Sequence, residues 1–149
     1  MRRSLTILLA ASALLLSAPA AFAGAQSFTV IEKGVTESFS DVVPCVGESA
    51  DVTITYNFAL AVTELDNGTS HVSGALTGTF TAVTDDVTYT GHFAQRFGEN
   101  LNAMNSEGST LFVLQGTGTD GSRITFADVF HYTITATGVE TAFDKPVCQ

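Results

Sequence analysis

The sequence predicts an all-β fold: an antiparallel up-and-down β-barrel of about eight strands. Three observations lead there. Val52, Ile54, Tyr56, Phe58, Leu60 and Val62 alternate with Thr53, Thr55, Asn57, Ala59, Ala61 and Thr63, the two-residue period of a long strand with one face in an apolar core and one in water. The same alternation recurs downstream, separated by short clusters of Asp, Asn and Gly that turn the chain tightly. Beyond the first residues no helical period interrupts it.

Met1, Arg2 and Arg3, the apolar run Leu5 to Leu16, and small residues at Ala21 and Ala23 have the layout of an export signal over residues 1–23, cleaved before Gly24. The run is shorter than the ~20 residues a bilayer span needs. Arg2-Arg3 directly follows Met1, outside the usual surroundings of a twin-arginine signal, so ordinary secretion is expected. Residues 24–149 then make one secreted domain with a single core.

Along that domain, Phe28 and Val30 open a short strand, Lys33-Gly34 reads as a turn, and Val35, Glu37 and Phe39 follow it before Pro44-Cys45 breaks the pattern. A long strand from 50 to 63 turns at Asp66-Asn67-Gly68, where Asn-Gly supplies the left-handed backbone of a tight hairpin. Val72 to Ala82 returns, Asp85-Asp86 turns, and Val87 to Phe97 continues. Gly98 to Gly108 lacks any period and reads as the longest loop, a rim or lid. Leu111 to Leu114, the turn at Thr119 to Ser122, Ile124 to Ile134, and Val139 to Phe143 running into Cys148 complete the count. An even number of strands lets the last return beside the first and removes exposed edges. This is a lipocalin-like or allene-oxide-cyclase-like architecture; an open two-layer sandwich fits the hairpin connections less well.

The formal charge is −9, and losing Arg2 and Arg3 makes it two units more negative. Such acidity disfavours nucleic acid and anionic membrane surfaces as partners and favours solubility. Cys45 and Cys148 are the only cysteines; in an exported chain, without metal-like spacing, they read as one structural disulfide. A loop of about 100 residues closed this way is worth up to ~4.7 kcal/mol in the chain-entropy account.

Several stretches carry a resemblance: Glu37 to Cys45, Val52 to Asn57, Asn67 to Val72, Tyr89 to Gly91, Gly116 to Gly118, and the terminal Phe143 to Cys148. Together they resemble a group of small secreted proteins of high-GC Gram-positive bacteria, over nearly the whole mature chain. The resemblance implies export, the disulfide and a β-barrel-like fold. It transfers no site.

The alternation sends two acids toward the core, Asp128 between Phe126 and Phe130, and Glu37 between Val35 and Phe39. A buried carboxylate without a partner is costly or shifts its pKa upward. Gln95, Tyr56, Tyr89 and Tyr132 fall on the same faces, and inward Gly74, Gly78 and Gly91 leave room. These residues point to noncatalytic binding of a small apolar or amphipathic ligand in the lumen. A filled core favours a structural or cell-surface module, with the acids bonded to backbone donors or tyrosine hydroxyls. An enzyme would use Asp128 and Glu37 as acid and base. His71, His92 and His131 face outward without a shared centre, no Gly-x-Ser-x-Gly elbow exists, and Asp85-Asp86 and Asp120-Gly121 read as turns. No metal, cofactor or nucleic acid is expected. The disulfide and Thr-rich second face favour a monomeric water-facing barrel over an outer-membrane one.

Overall fold

The computed structural model describes residues 25–149 apart from Val139. The expected export signal, residues 1–23, lies outside the described residues, as does Val139, the expected start of the last strand. Seven strands form one sheet in chain order: β1 (Gln26–Val42), β2 (Ser49–Glu64), β3 (Ser70–Val83), β4 (Thr88–Leu101), β5 (Asn105–Gly118), β6 (Arg123–Thr135) and β7 (Glu140–Cys148). Every neighbouring pair is antiparallel. The meander is as expected; its count and closure are not.

The difference begins at Lys33-Gly34. Glu32 pairs with Phe58 and Val35 with Tyr56, so Lys33 and Gly34 stand opposite the single residue Asn57. Gly34 has φ of 66° and its N–H donates to Asn57 Oδ1 at 3.1 Å. The left-handed glycine bulges the ladder where the sequence suggested reversal. Two expected strands thereby become one of 17 residues. The extra residue also switches parity, so Phe28 and Val30 before it share a face with Val35, Glu37 and Phe39 after it.

The expected Gly98 to Gly108 loop contracts to the few residues between Leu101 and Asn105, because Gly98 pairs with Ser109 and Glu99 with Gly108. Pairing satisfies these backbone groups despite poor strand propensity. Gly108 is required for space: a Cβ there would come within 2.6 Å of the Tyr132 ring.

The sheet does not close into a barrel. With seven antiparallel strands, β1 and β7 run parallel and each is paired on one side only. No Cα of β1 comes within 8 Å of one in β7, well beyond the ~4.8 Å spacing of paired strands.

One sheet can bury a face only by curling over it. Val43 of the β1–β2 turn, with Ala50, Phe80, Ala82, Tyr89, Phe93, Leu114 and Ile124 from β2 to β6, forms the buried cluster. They gather toward the end of the sheet holding the β1–β2, β3–β4 and β5–β6 turns. Cys45, in the first of those turns, is disulfide-bonded to Cys148 at the end of β7, Cα to Cα 5.6 Å. This end is the closed rim; the β2–β3, β4–β5 and β6–β7 turns mark the open one. On the other face, hydroxyl pairs Ser27–Thr63, Thr36–Thr55 and Ser38–Thr53 bridge β1 and β2 at 2.9–3.0 Å.

Every described residue of β7 is exposed, so the disulfide carries much of its anchoring. The Cys45→Ser/Cys148→Ser variant is expected to lose about 3 kcal/mol in urea unfolding, with β7 amides showing the largest gain in hydrogen exchange. Gly91→Ala would drive a Cβ into the Gln115 carbonyl oxygen of β5. It is expected to cost about 2 kcal/mol or more by the same measurement.

Candidate functional site

The inner face carries carboxyl groups among apolar walls, and the ladder places each. Tyr56 lies on β2 beside Val35 of β1, and its hydroxyl donates to Glu37 Oε1 at 2.8 Å. Burial, then the bond to Glu37 and the negative charges of Glu37 and Glu32, push Tyr56 up to about 12. Nearer the open rim, the Tyr132 hydroxyl of β6 makes a short hydrogen bond to Glu99 Oε1 of β4. Ser106 Oγ of β5 donates to the same oxygen at 3.0 Å. Tyr132 is likewise raised to about 12, by burial first and the Glu99 bond second, with Ser106 opposing.

Asp128 is different. Its ladder row runs Glu32, Phe58, Leu76, Gln95, Phe112, Asp128, Pro146, and no basic side chain shares it. Its Oδ1 is buried with no hydrogen-bond partner. Asp144 sits one inward position along β7, diagonal to Asp128. Burial raises the Asp128 pKa first; hydrogen bonding to and repulsion by the Asp144 carboxyl raise it further, against the backbone N–H groups of Val129 and Lys145.

The structure brings Glu37 together with Tyr56, and Asp128 with Asp144, but joins Glu37 to Asp128 by no hydrogen bond. Each acid is handled separately, on strands at opposite sides of the sheet. Gln95 stands on the Asp128 row between Leu76 and Phe112. Tyr89, expected to line a ligand site, is only 4% exposed and belongs to the packed closed-rim cluster.

Glu99 and Asp144 escaped the sequence reading. Glu99 lies in the stretch taken for a loop; continuing the parity Phe93, Gln95, Phe97 would have found it. Asp144 shares parity with Cys148, which the disulfide draws to the rim.

Toward the open rim the inner face is uncovered at β1, whereas Val62 of β2 is buried. Phe28 and Val30 of β1 pair with Val62 and Leu60 and share their face, yet remain 39% and 37% exposed. The aromatic pairs Phe58–Phe97 and Phe130–Tyr132, with ring centroids 6.5 and 5.9 Å apart, continue this wall. Two broad hollows lie elsewhere, reaching the outer face around His71, Ser109 and His131 and around His92, Gln115 and Arg123. No group of three or more potential metal ligands forms among the described residues, and His71 is engaged with Asn100 Oδ1.

No protein-family model, curated protein or solved structure matches this chain.

Because folding raises the Asp128 pKa, the folded state holds this proton more tightly than the unfolded chain. Stability contributed by the group is complete below its ordinary value of 3.8 and is lost as pH rises through the raised one. Asp128→Asn is therefore expected to stabilise the protein at neutral pH by on the order of 1 kcal/mol, and to make no difference in strong acid; urea unfolding across pH reads both. In ultraviolet titration, Tyr56 is expected to ionise near pH 12, and Glu37→Gln to lower that midpoint.

Proposed function

We propose that this protein is an exported, noncatalytic binder of a small amphipathic ligand, held on the inner face of the curled sheet toward its open rim. The observation that carries the reading is an apolar wall that faces inward but stays exposed, Phe28 and Val30, with the Asp128–Asp144 carboxyl pair across the sheet. In a core built only for stability these side chains would be covered. An apolar surface with a few polar groups is how small-molecule sites are usually composed.

The charge of the wall selects among amphiphiles. Glu99, Asp128 and Asp144 occupy inward positions, while Lys145 has the opposite parity on β7. A ligand with a cationic or hydrogen-bond-donating head and an apolar body fits; an anionic amphiphile would meet repulsion. Binding a cation beside Asp128 favours its ionised form, so association should release a proton where that group is still protonated.

The mature chain binds dodecyltrimethylammonium in calorimetry more tightly than dodecyl sulfate, by about tenfold or more, if this reading is right. Asp144→Asn is expected to weaken the cation by a similar factor and Phe28→Ser to weaken both. Equal binding of the two amphiphiles, or an unchanged affinity in both variants, would remove the proposal.

A further inference from the structure

The two faces of the sheet differ in charge in a way that the net charge of the chain conceals. Most of its 15 acids lie at inward strand positions or in the turns; Asp51 and Glu107 alone point outward from a strand. The bases of residues 24–149 are placed otherwise. Arg96, Arg123 and Lys145 share the outward parity, and Lys33 is in the bulge.

On the outer side of β4 to β7 the ladder sets two of these cations into an apolar surface. One outward row reads Arg96–Leu111–Val129–Lys145. Val113 and Val147 stand in the next row toward the closed rim, and Phe143 in the next toward the open rim. No acid occupies any of these three rows on β4 to β7. The five apolar side chains are 36–54% exposed, and among the described residues no carboxylate pairs with Arg96 or Lys145. Strand propensity does not account for them, because threonine serves an outward position as well as valine does. A row nearer the closed rim shows this, with Thr53, Thr81, Thr90 and Thr117 side by side.

The size and charge of the patch decide what covers it. Four strands ~4.8 Å apart and three outward positions ~6.6 Å apart make about 400 Å², roughly half of what a stable protein interface takes from each partner. A second copy related by a two-fold axis would also set Arg96 and Lys145 against the same cations. A bilayer asks for no complementary shape. Aliphatic side chains enter its headgroup boundary, and the long stems of Arg96 and Lys145 can lie along them with the charged ends at phosphate level. The acidity that disfavours an anionic surface is locally absent. Asp128 and Asp144 lie behind the patch on the other face, and Glu107, at its open-rim margin, accepts a hydrogen bond from Asn100 at 3.3 Å. The turn acids Asp86 and Asp120 are ~20 Å from it along their strands, about two screening lengths at physiological salt.

We infer that the outer wall of β4 to β7 docks on an anionic lipid surface, with Leu111, Val129 and Phe143 entering the headgroup region and Arg96 and Lys145 meeting lipid phosphates.

This wall lies on the opposite face from the proposed amphiphile site, so the two are tested apart. The mature chain is sedimented with vesicles of phosphatidylglycerol and phosphatidylcholine in equal parts, and with vesicles of phosphatidylcholine alone. Partition into the anionic vesicles should exceed that into the neutral ones by about tenfold or more, and should fall as salt rises from about 0.05 to about 0.5 M. Arg96→Gln/Lys145→Gln is expected to weaken anionic binding about twentyfold and to leave the affinity for dodecyltrimethylammonium unchanged. Leu111→Ser/Val129→Ser should lower partition into both compositions by about tenfold, whereas Phe28→Ser, on the inner face, should not affect it. Urea unfolding checks that each variant is folded. Absence of binding to the anionic vesicles at millimolar lipid, equal binding to the two compositions, undiminished binding by the Arg96/Lys145 variant, or a dimer of the mature chain that the Leu111/Val129 variant disperses would overturn the inference.

Discussion

A single sheet has no second layer to press against, and the need to bury one face by curling it governs the rest of this structure. The alternating apolar residues supply the driving force, since one face removed from water is the only core available. Curling brings Val43 of the β1–β2 turn together with Phe80, Tyr89, Leu114 and Ile124 of β3 to β6 in one cluster. It also crowds the inner surface at particular rows, where glycine answers: Gly91 lies against the backbone of β5 and Gly108 beneath the Tyr132 ring.

The curl is unevenly secured. Near the closed rim, buried side chains and the Cys45–Cys148 bond hold the two ends of the meander together. Toward the open rim there is no such link, and the outer strands carry their inward residues in contact with water. An odd strand count makes this more than incomplete packing: the parallel edges cannot extend the antiparallel ladder to one another. The bulge in β1, Lys145 and Pro146 are features that natural sheets use to limit indiscriminate edge pairing.

Three inner acids show how differently one fold accommodates the same chemistry. Glu37 and Glu99 each receive a tyrosine hydroxyl, an arrangement that satisfies the carboxylate and keeps the phenol protonated. Asp128 has a second carboxyl for a neighbour and an oxygen without a partner. Two of these positions, Glu37 and Asp128, were visible as acids interrupting apolar alternation, and Tyr56 and Tyr132 as inward tyrosines. Which acid meets which hydroxyl was invisible, because Glu99 and Tyr132 are 33 residues apart and face one another only across an intervening strand.

The sequence alone determined the all-β class, the inward parity of β1 to β4 and of β6, most of the turns and the identity of the bonded cysteines. All of these are local or combinatorial: a two-residue period, a left-handed residue and a pair of thiols each carry their meaning within a short stretch or a count. The tertiary structure decided that Gly34 bulges a strand instead of ending it, that the glycine-rich stretch after Phe97 pairs, and that seven strands leave the sheet open. Those outcomes depend on whether a backbone group finds its partner on a neighbouring strand, a long-range energy that no local pattern encodes.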